Sequence, residues 1–227
     1  NPIYDALFKT GKNIGIPFNP DYNSEEQEGL TFTQTTINRG ERVSAKVAYL
    51  DPIKSRKNLT ISTESLVTKI LIKDKSAKGV EILKKNKKEI FYARKEVIIC
   101  GGAINSPQIL ELSGIGNPEV LKKNGIEICH ELNGVGENLR DHIGPRIVYR
   151  IIKPGLSYNE RARGVNLVKQ VLSYFFQKDG FLTLPSAPVL GFLKTKPELA
   201  SPDIQLHFIP YRVVLENGKR TLGKDPG

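Results

Sequence analysis

The chain has 227 residues, 39 % hydrophobic and 26 % charged, with two cysteines, no methionine and a formal net charge of +10. That composition excludes a disordered polymer, a disulfide-dense mini-domain and a four-thiolate zinc site. No stretch reaches the about 18 apolar residues of a membrane helix. The basic excess is scattered and lacks interleaved aromatic rings, so a membrane span and nucleic-acid binding are both set aside. The sequence opens on Asn1 and closes in a polar, turn-like stretch at 216–227. It is expected to be an internal piece of a longer polypeptide, without a targeting segment of its own.

In chain order, Asn1 and Pro2 are a cap and first-turn pair for a helix. Ile3, Leu7 and Phe8 share one face of it, Gly11 is expected to end it, and a loop follows to residue 30. The β-branched stretch 59–73 reads as two short strands. Residues 79–83 and 89–93 flank the lysine run 84–88, which reads as a solvated hairpin tip. The apolar run 97–100 has the pattern of a strand buried on both faces, with Cys100 as a small inert hydrophobe. After Gly101 and Gly102, Ser106 suits a helix N-cap, Pro107 the first helical position and Gly114 the end. The same grammar repeats with Asn117, Pro118 and Gly125, and a strand at 126–130 follows. Strand, helices and strand imply a mainly parallel sheet.

From Gly144 the texture changes. Residues 146–152 read as a strand, and 166–176 as a helix with Leu167, Val171, Leu172 and Phe175 on one stripe. Residues 192–194 and 203–209 read as strands of a sheet with one wetter face. A domain boundary is placed near 141–146. No internal repeat or low-complexity tract is present.

The strand, Gly-Gly and helix at 97–112 present a helix N-terminus, where unpaired N–H groups favour anions. Two readings stand at this point: a nucleotide or flavin against Gly101, Gly102 and Ala103, or a tight turn with no ligand. A complete G-x-G-x-x-G fingerprint is absent, and residues 134–139 match only its first half. His130, His142 and His207 have no metal-ligand spacing, and Asp141-His142 lacks a third partner. Ser113 lacks the glycine of a G-x-S-x-G elbow, which removes a serine hydrolase. Asn58-Leu59-Thr60 fits a glycosylation triplet.

Residues 102–116, with their Ser-Pro, two apolar residues and Ser-Gly-Ile-Gly, resemble the second signature of the glucose–methanol–choline flavin oxidoreductases. Residues 58–71 resemble the family's strand that passes the adenine, and 134–142 its G-x-G-x-N-L-x-D-H turn. Residues 180–183 and 202–208 resemble substrate-domain segments of the arthropod, glucose-dehydrogenase-like branch. The resemblance implies an α/β fold: part of an FAD-binding doubly wound domain plus part of an α+β substrate domain with an antiparallel sheet. On that reading 1–30 lead into the flavin domain, 31–143 form its middle, and 144–227 are an incomplete substrate domain.

The implied activity is oxidation of a small alcohol or sugar by hydride transfer to FAD, with a quinone-like acceptor or oxygen taking the electrons. By position, Val67 corresponds to the residue whose main chain meets the adenine, and Gly101 and Gly102 lie near the cofactor. The family's N-terminal pyrophosphate fingerprint and its catalytic histidine are outside this sequence, so no catalytic residue and no metal ligand is assigned. Two further readings are a degenerate, non-catalytic relative serving as a secreted scaffold, and a basic module whose binding would fall steeply with salt. The resemblance also points to an extracellular setting. Strands such as 97–100 would lack ladder partners in this chain alone, which is expected to aggregate or stay molten.

Overall fold

The computed structural model describes residues 1–227. In chain order its helices are α1 Pro2–Asn13, α2 Gly102–Leu112, α3 Pro118–Lys123, α4 Tyr158–Arg161 and α5 Gly164–Gln177. Its strands begin with β1 Gly29–Phe32, β2 Ile37–Asn38, β3 Glu41–Arg42, β4 Leu66–Lys73, β5 Ser76–Lys84 and β6 Lys87–Tyr92. They continue with β7 Ile115–Gly116, β8 His130–Glu131, β9 Val189–Leu193, β10 Ile204–Phe208, β11 Val213–Glu216 and β12 Lys219–Leu222. The chain divides into two compact units, one of residues 1–53 with 146–227 and the other of residues 54–145.

The first unit is built on the antiparallel sheet β1-β9-β10. β9 lies between its neighbours and is almost wholly buried, because Val189, Leu190 and Phe192 have apolar cover on both faces. Helix α1 starts as its sequence dictates: the Asn1 carboxamide accepts the Ile3 N–H at 3.2 Å, and Pro2 opens the first turn. It does not stop at Gly11. The helix runs to Asn13, and Gly11 is buried because a Cβ there would meet Leu30 Cδ1 at 2.5 Å. This glycine serves helix–sheet packing rather than termination.

The polar knot of this unit is Asn159, fully buried at the start of α4. Its carboxamide donates to the carbonyls of Arg212 at 2.9 Å and Gly223 at 2.8 Å, and accepts the Arg212 N–H at 2.7 Å. Ser157 caps the same turn by accepting the Asn159 N–H. Those bonds tie α4 to the hairpin β11–β12, whose two-residue turn Asn217-Gly218 has positive φ at both positions. The polar, turn-like stretch at 216–227 thus begins as the turn and second strand of a hairpin, with Asn217-Gly218 as its tip. Residues 146–152, expected as a strand, pair in no ladder, and Ile147 and Ile152 are largely exposed.

The second unit carries the three-stranded antiparallel sheet β4-β5-β6. The lysine-flanked tip forms as expected, with Lys85 and Asn86 both at positive φ in a two-residue turn. Residues 59–73 hold one strand, β4, rather than two. Parallel pairing in this unit is limited to β7 with β8, so the mainly parallel sheet expected from the strand–helix order is not formed within the chain. The physical reason is visible at 97–100: this run has no strand beside it, takes no regular secondary structure and leaves Ile98 and Cys100 exposed.

Candidate cofactor site

β4 is the free edge of its sheet, and its backbone can be phased. In an antiparallel ladder, successive residues alternately turn their N–H and C=O toward the partner and away from it. Ile70 donates its N–H to Ser113 Oγ at 2.8 Å, so its polar groups face away from β5. The ladder slips between Val67 and Lys69, leaving Thr68 as the extra residue. Counting across that bulge, Lys69 faces β5 and Val67 faces outward. The far side of β5 gives the same phase, because Ala93 N–H reaches the Lys78 carbonyl at 2.8 Å, which places Ile82 in a bonded pair with Glu89 on β6. Opposite Ile82, Val67 presents an N–H and a C=O side by side on an open edge, with its side chain partly exposed.

The bulge is held from the other side. Thr68 Oγ1 donates to Glu81 Oε1 at 2.7 Å, and Lys88 Nζ lies 3.1 Å from the same carboxylate. Thr68 foremost, then Lys88, keeps the Glu81 carboxyl below the usual carboxylate range.

Helix α2 packs against β4. It begins at Gly102, not at Pro107 as expected from sequence; Gly101 is the N-cap and Pro107 lies inside the helix. Ser106 is thus no N-cap, but its hydroxyl accepts the Gly101 N–H at 3.1 Å, turning back on the same helix start. Gly101 and Gly102 are exposed, and beyond the Gly101 N–H held by Ser106 no side chain caps the first turn, so its N–H groups from Gly102 onward are open. The two glycines have different reasons. A Cβ on Gly101 would meet Asn105 Cβ at 3.1 Å, whereas Gly102 has open space around it and a φ of +84°. That opening and the outward backbone of Val67 lie on elements that pack against each other.

At its other end α2 is anchored. Gly114 follows the helix at φ +82°, where a Cβ would meet the Glu127 carbonyl at 2.3 Å, and its own carbonyl accepts the N–H of Cys129 and of His130. Asn117 caps α3 through the Glu119 N–H, and Gly125 follows it, as the sequence implies. The segment 134–142 turns at Gly136 and Asn138, both at positive φ. His130, His142 and His207 are all exposed, and no three His, Cys, Asp or Glu side chains are grouped to hold a metal. Sequence reasoning passed over Ser113 as a hydroxyl with a structural duty; the signal was a serine directly after an apolar helical run and before a glycine.

A separate cleft of about 290 Å³ lies within the first unit, against Tyr158, Phe181 and Tyr211. Tyr158 there shares a 2.6 Å hydrogen bond with Tyr4, and burial foremost, with that bond, pushes its hydroxyl well above the ordinary tyrosine value. No helix is long and apolar enough to cross a membrane.

Against known proteins, residues 1–144 match the family model described as GMC oxidoreductase. The chain is 38 % identical over 214 residues to the mitochondrial choline dehydrogenase of Homo sapiens, covering 94 % of this chain and 36 % of that protein. It is 37 % identical over 215 residues to an alcohol dehydrogenase [acceptor] of Pseudomonas putida, covering 92 % of this chain and 38 % of that one. Among solved structures, a formate oxidase superposes with a TM-score of 0.81 at 27 % identity, over 92 % of this chain and 40 % of its own. An FAD-dependent oxidoreductase from Chaetomium thermophilum gives 0.72 at 25 % identity, over 85 % and 34 %. The chain thus spans between about a third and two fifths of the length of these relatives. The α/β flavin fold, with its antiparallel sheets, is that of these neighbours, and FAD is the cofactor of that fold. With a family match over more than half of its length, and with the signature at 102–116 folded largely as helix α2 packed against β4, the chain belongs to the GMC oxidoreductase family.

Proposed function

We propose that the protein is an FAD-dependent oxidoreductase acting on the CH–OH group of a small alcohol or sugar, and that this chain supplies the adenine side of its cofactor site. The observation that carries the reading is the outward backbone pair of Val67 on the free edge of β4. An N–H beside a C=O complements the neighbouring acceptor and amino donor of an adenine edge. The first turn of α2, from Gly102 onward, offers N–H groups to the anionic part of the same molecule. When bound, FAD supplies a two-electron acceptor that takes hydride from the alcohol carbon. The residues present here bind and orient; none is assigned a proton or hydride step.

A quinone-like acceptor or oxygen, and an extracellular setting, complete the proposal. They are supported by the resemblance of 180–183 and 202–208 to the arthropod glucose-dehydrogenase-like branch. The exposed Asn58, in a turn, is an accessible position for the glycosylation triplet. The test is the visible spectrum, after gel filtration, of protein expressed from its complete coding sequence. The two bands of oxidised flavin, eluting with the protein, support the reading. A folded but colourless protein that takes up no added FAD overturns it in favour of a non-catalytic scaffold.

A further inference from the structure

Ser113 is fully buried at the C-terminal end of α2, and both sides of its hydroxyl are used. It donates to the Ile109 carbonyl at 2.6 Å and accepts the Ile70 N–H at 2.8 Å. The first bond is a back-bond within one helical turn and needs no sheet. The second joins residues 43 positions apart, and it sits where a further strand would otherwise pair with β4. One hydroxyl therefore sets where α2 lies along the β4 edge. Val67 is three residues along that same edge, and Gly101 and Gly102 are at the opposite end of α2. An 11-residue helix is about 16 Å long, so a tilt of about 5° at its anchored end moves the far end by about 1.4 Å. Hydrogen bonds to a bound adenylate do not tolerate such a shift.

We propose that Ser113 is a positioning residue for the FAD site: it holds the open backbone of Val67 and the first turn of α2 at the spacing that the adenylate half of FAD requires. The inference rests on the cofactor reading above. Ser113 touches no cofactor itself; it acts through Ile70 and α2.

The experiment uses protein expressed from its complete coding sequence, stripped of flavin, with FAD, ADP and FMN as separate probes and equilibrium affinity as the readout. Ser113→Ala leaves the Ile70 N–H buried without its partner, and FAD and ADP are expected to bind about tenfold more weakly. FMN, which lacks the adenylate, is expected to keep its affinity within about twofold, and Ser113→Thr, which retains the hydroxyl, to return FAD binding to within about threefold of the parent. Should Ser113→Ala not fold, Ser113→Cys keeps the volume with a much poorer hydrogen-bonding group and is read in its place. Equal FAD affinity in parent and variant overturns the proposal while leaving the cofactor reading intact. So does an equal loss for ADP and FMN, or a Thr variant no better than Ala. A parent protein that binds no FAD overturns the cofactor reading itself and Ser113's role with it.

Discussion

The two units each couple a helix to a sheet through one buried polar side chain, but they do so with different completeness. In the first, Asn159 makes three bonds to the backbone around β11–β12, and α4 is locked there from several directions. In the second, Ser113 alone bridges α2 and β4 through a single long-range bond, and the strand edge beyond it stays open. A buried carboxamide with every group paired makes a rigid joint. A lone hydroxyl at an open edge makes a joint whose register can be shifted, and it leaves unpaired backbone for a ligand. The difference separates a region closed by several bonds from one that keeps a free strand edge.

That contrast can be broken most severely at Asn159. Replacement by alanine leaves the Arg212 N–H without its partner and takes one of two donors from each of the Arg212 and Gly223 carbonyls, with an expected cost of about 4 kcal/mol. Thermal unfolding should show the loss in residues 1–53 and 146–227, and hydrogen exchange should show β11–β12 opening first. Protection of β11–β12 unchanged from the parent would mean that Asn159 is not the joint.

Leu121 tests the apolar side of the second unit. It is fully buried in α3, and Leu121→Ala is expected to cost about 3 kcal/mol through lost burial and the cavity left behind. Chemical denaturation followed by a probe in 54–145 measures it. A cost near zero would show that this unit is too loosely packed to register a cavity.

A smaller effect is expected at Tyr158. Tyr158→Phe removes its bond to Tyr4, at about 1 kcal/mol near neutral pH. The tyrosine also makes stability depend on alkaline pH. Its folded-state value lies above the unfolded one, so its contribution is complete below about pH 10 and is lost as pH rises beyond it. The difference in unfolding midpoint between parent and Phe variant should therefore shrink above pH 10. A constant difference across that range would contradict the assignment.

The smallest change is expected at Lys178. It pairs with Glu41 at 2.9 Å and lies over the Tyr174 ring, but the pair is exposed to solvent. Lys178→Ala should leave the melting temperature unchanged within error in physiological salt. A clear drop would raise this surface contact to a structural joint and weaken the claim that the buried side chains carry the coupling.

Much of this arrangement is legible in the chain itself, for reasons of local chemistry. Asn1-Pro2 and Asn117-Pro118 start helices because a side-chain acceptor and a ring with no N–H satisfy a helix start wherever they occur. Lys85-Asn86 forms a turn because its backbone needs are met within a few residues, and the stripe on α5 follows from its period. The signature at 102–116 marks the family by residue order alone. Tertiary contacts decided the rest. Gly11 became a packing position because Leu30 presses against it, which no local pattern records. The run 97–100 has the composition of a buried strand, but a strand exists only when another lies beside it to take its hydrogen bonds, and none does here. The outward phase of Val67 depends on a bulge at Thr68 and on a serine 43 residues beyond Ile70. Residue types determined where helices start and where turns fall; only the packing of distant segments decided which backbone groups were left open to bind.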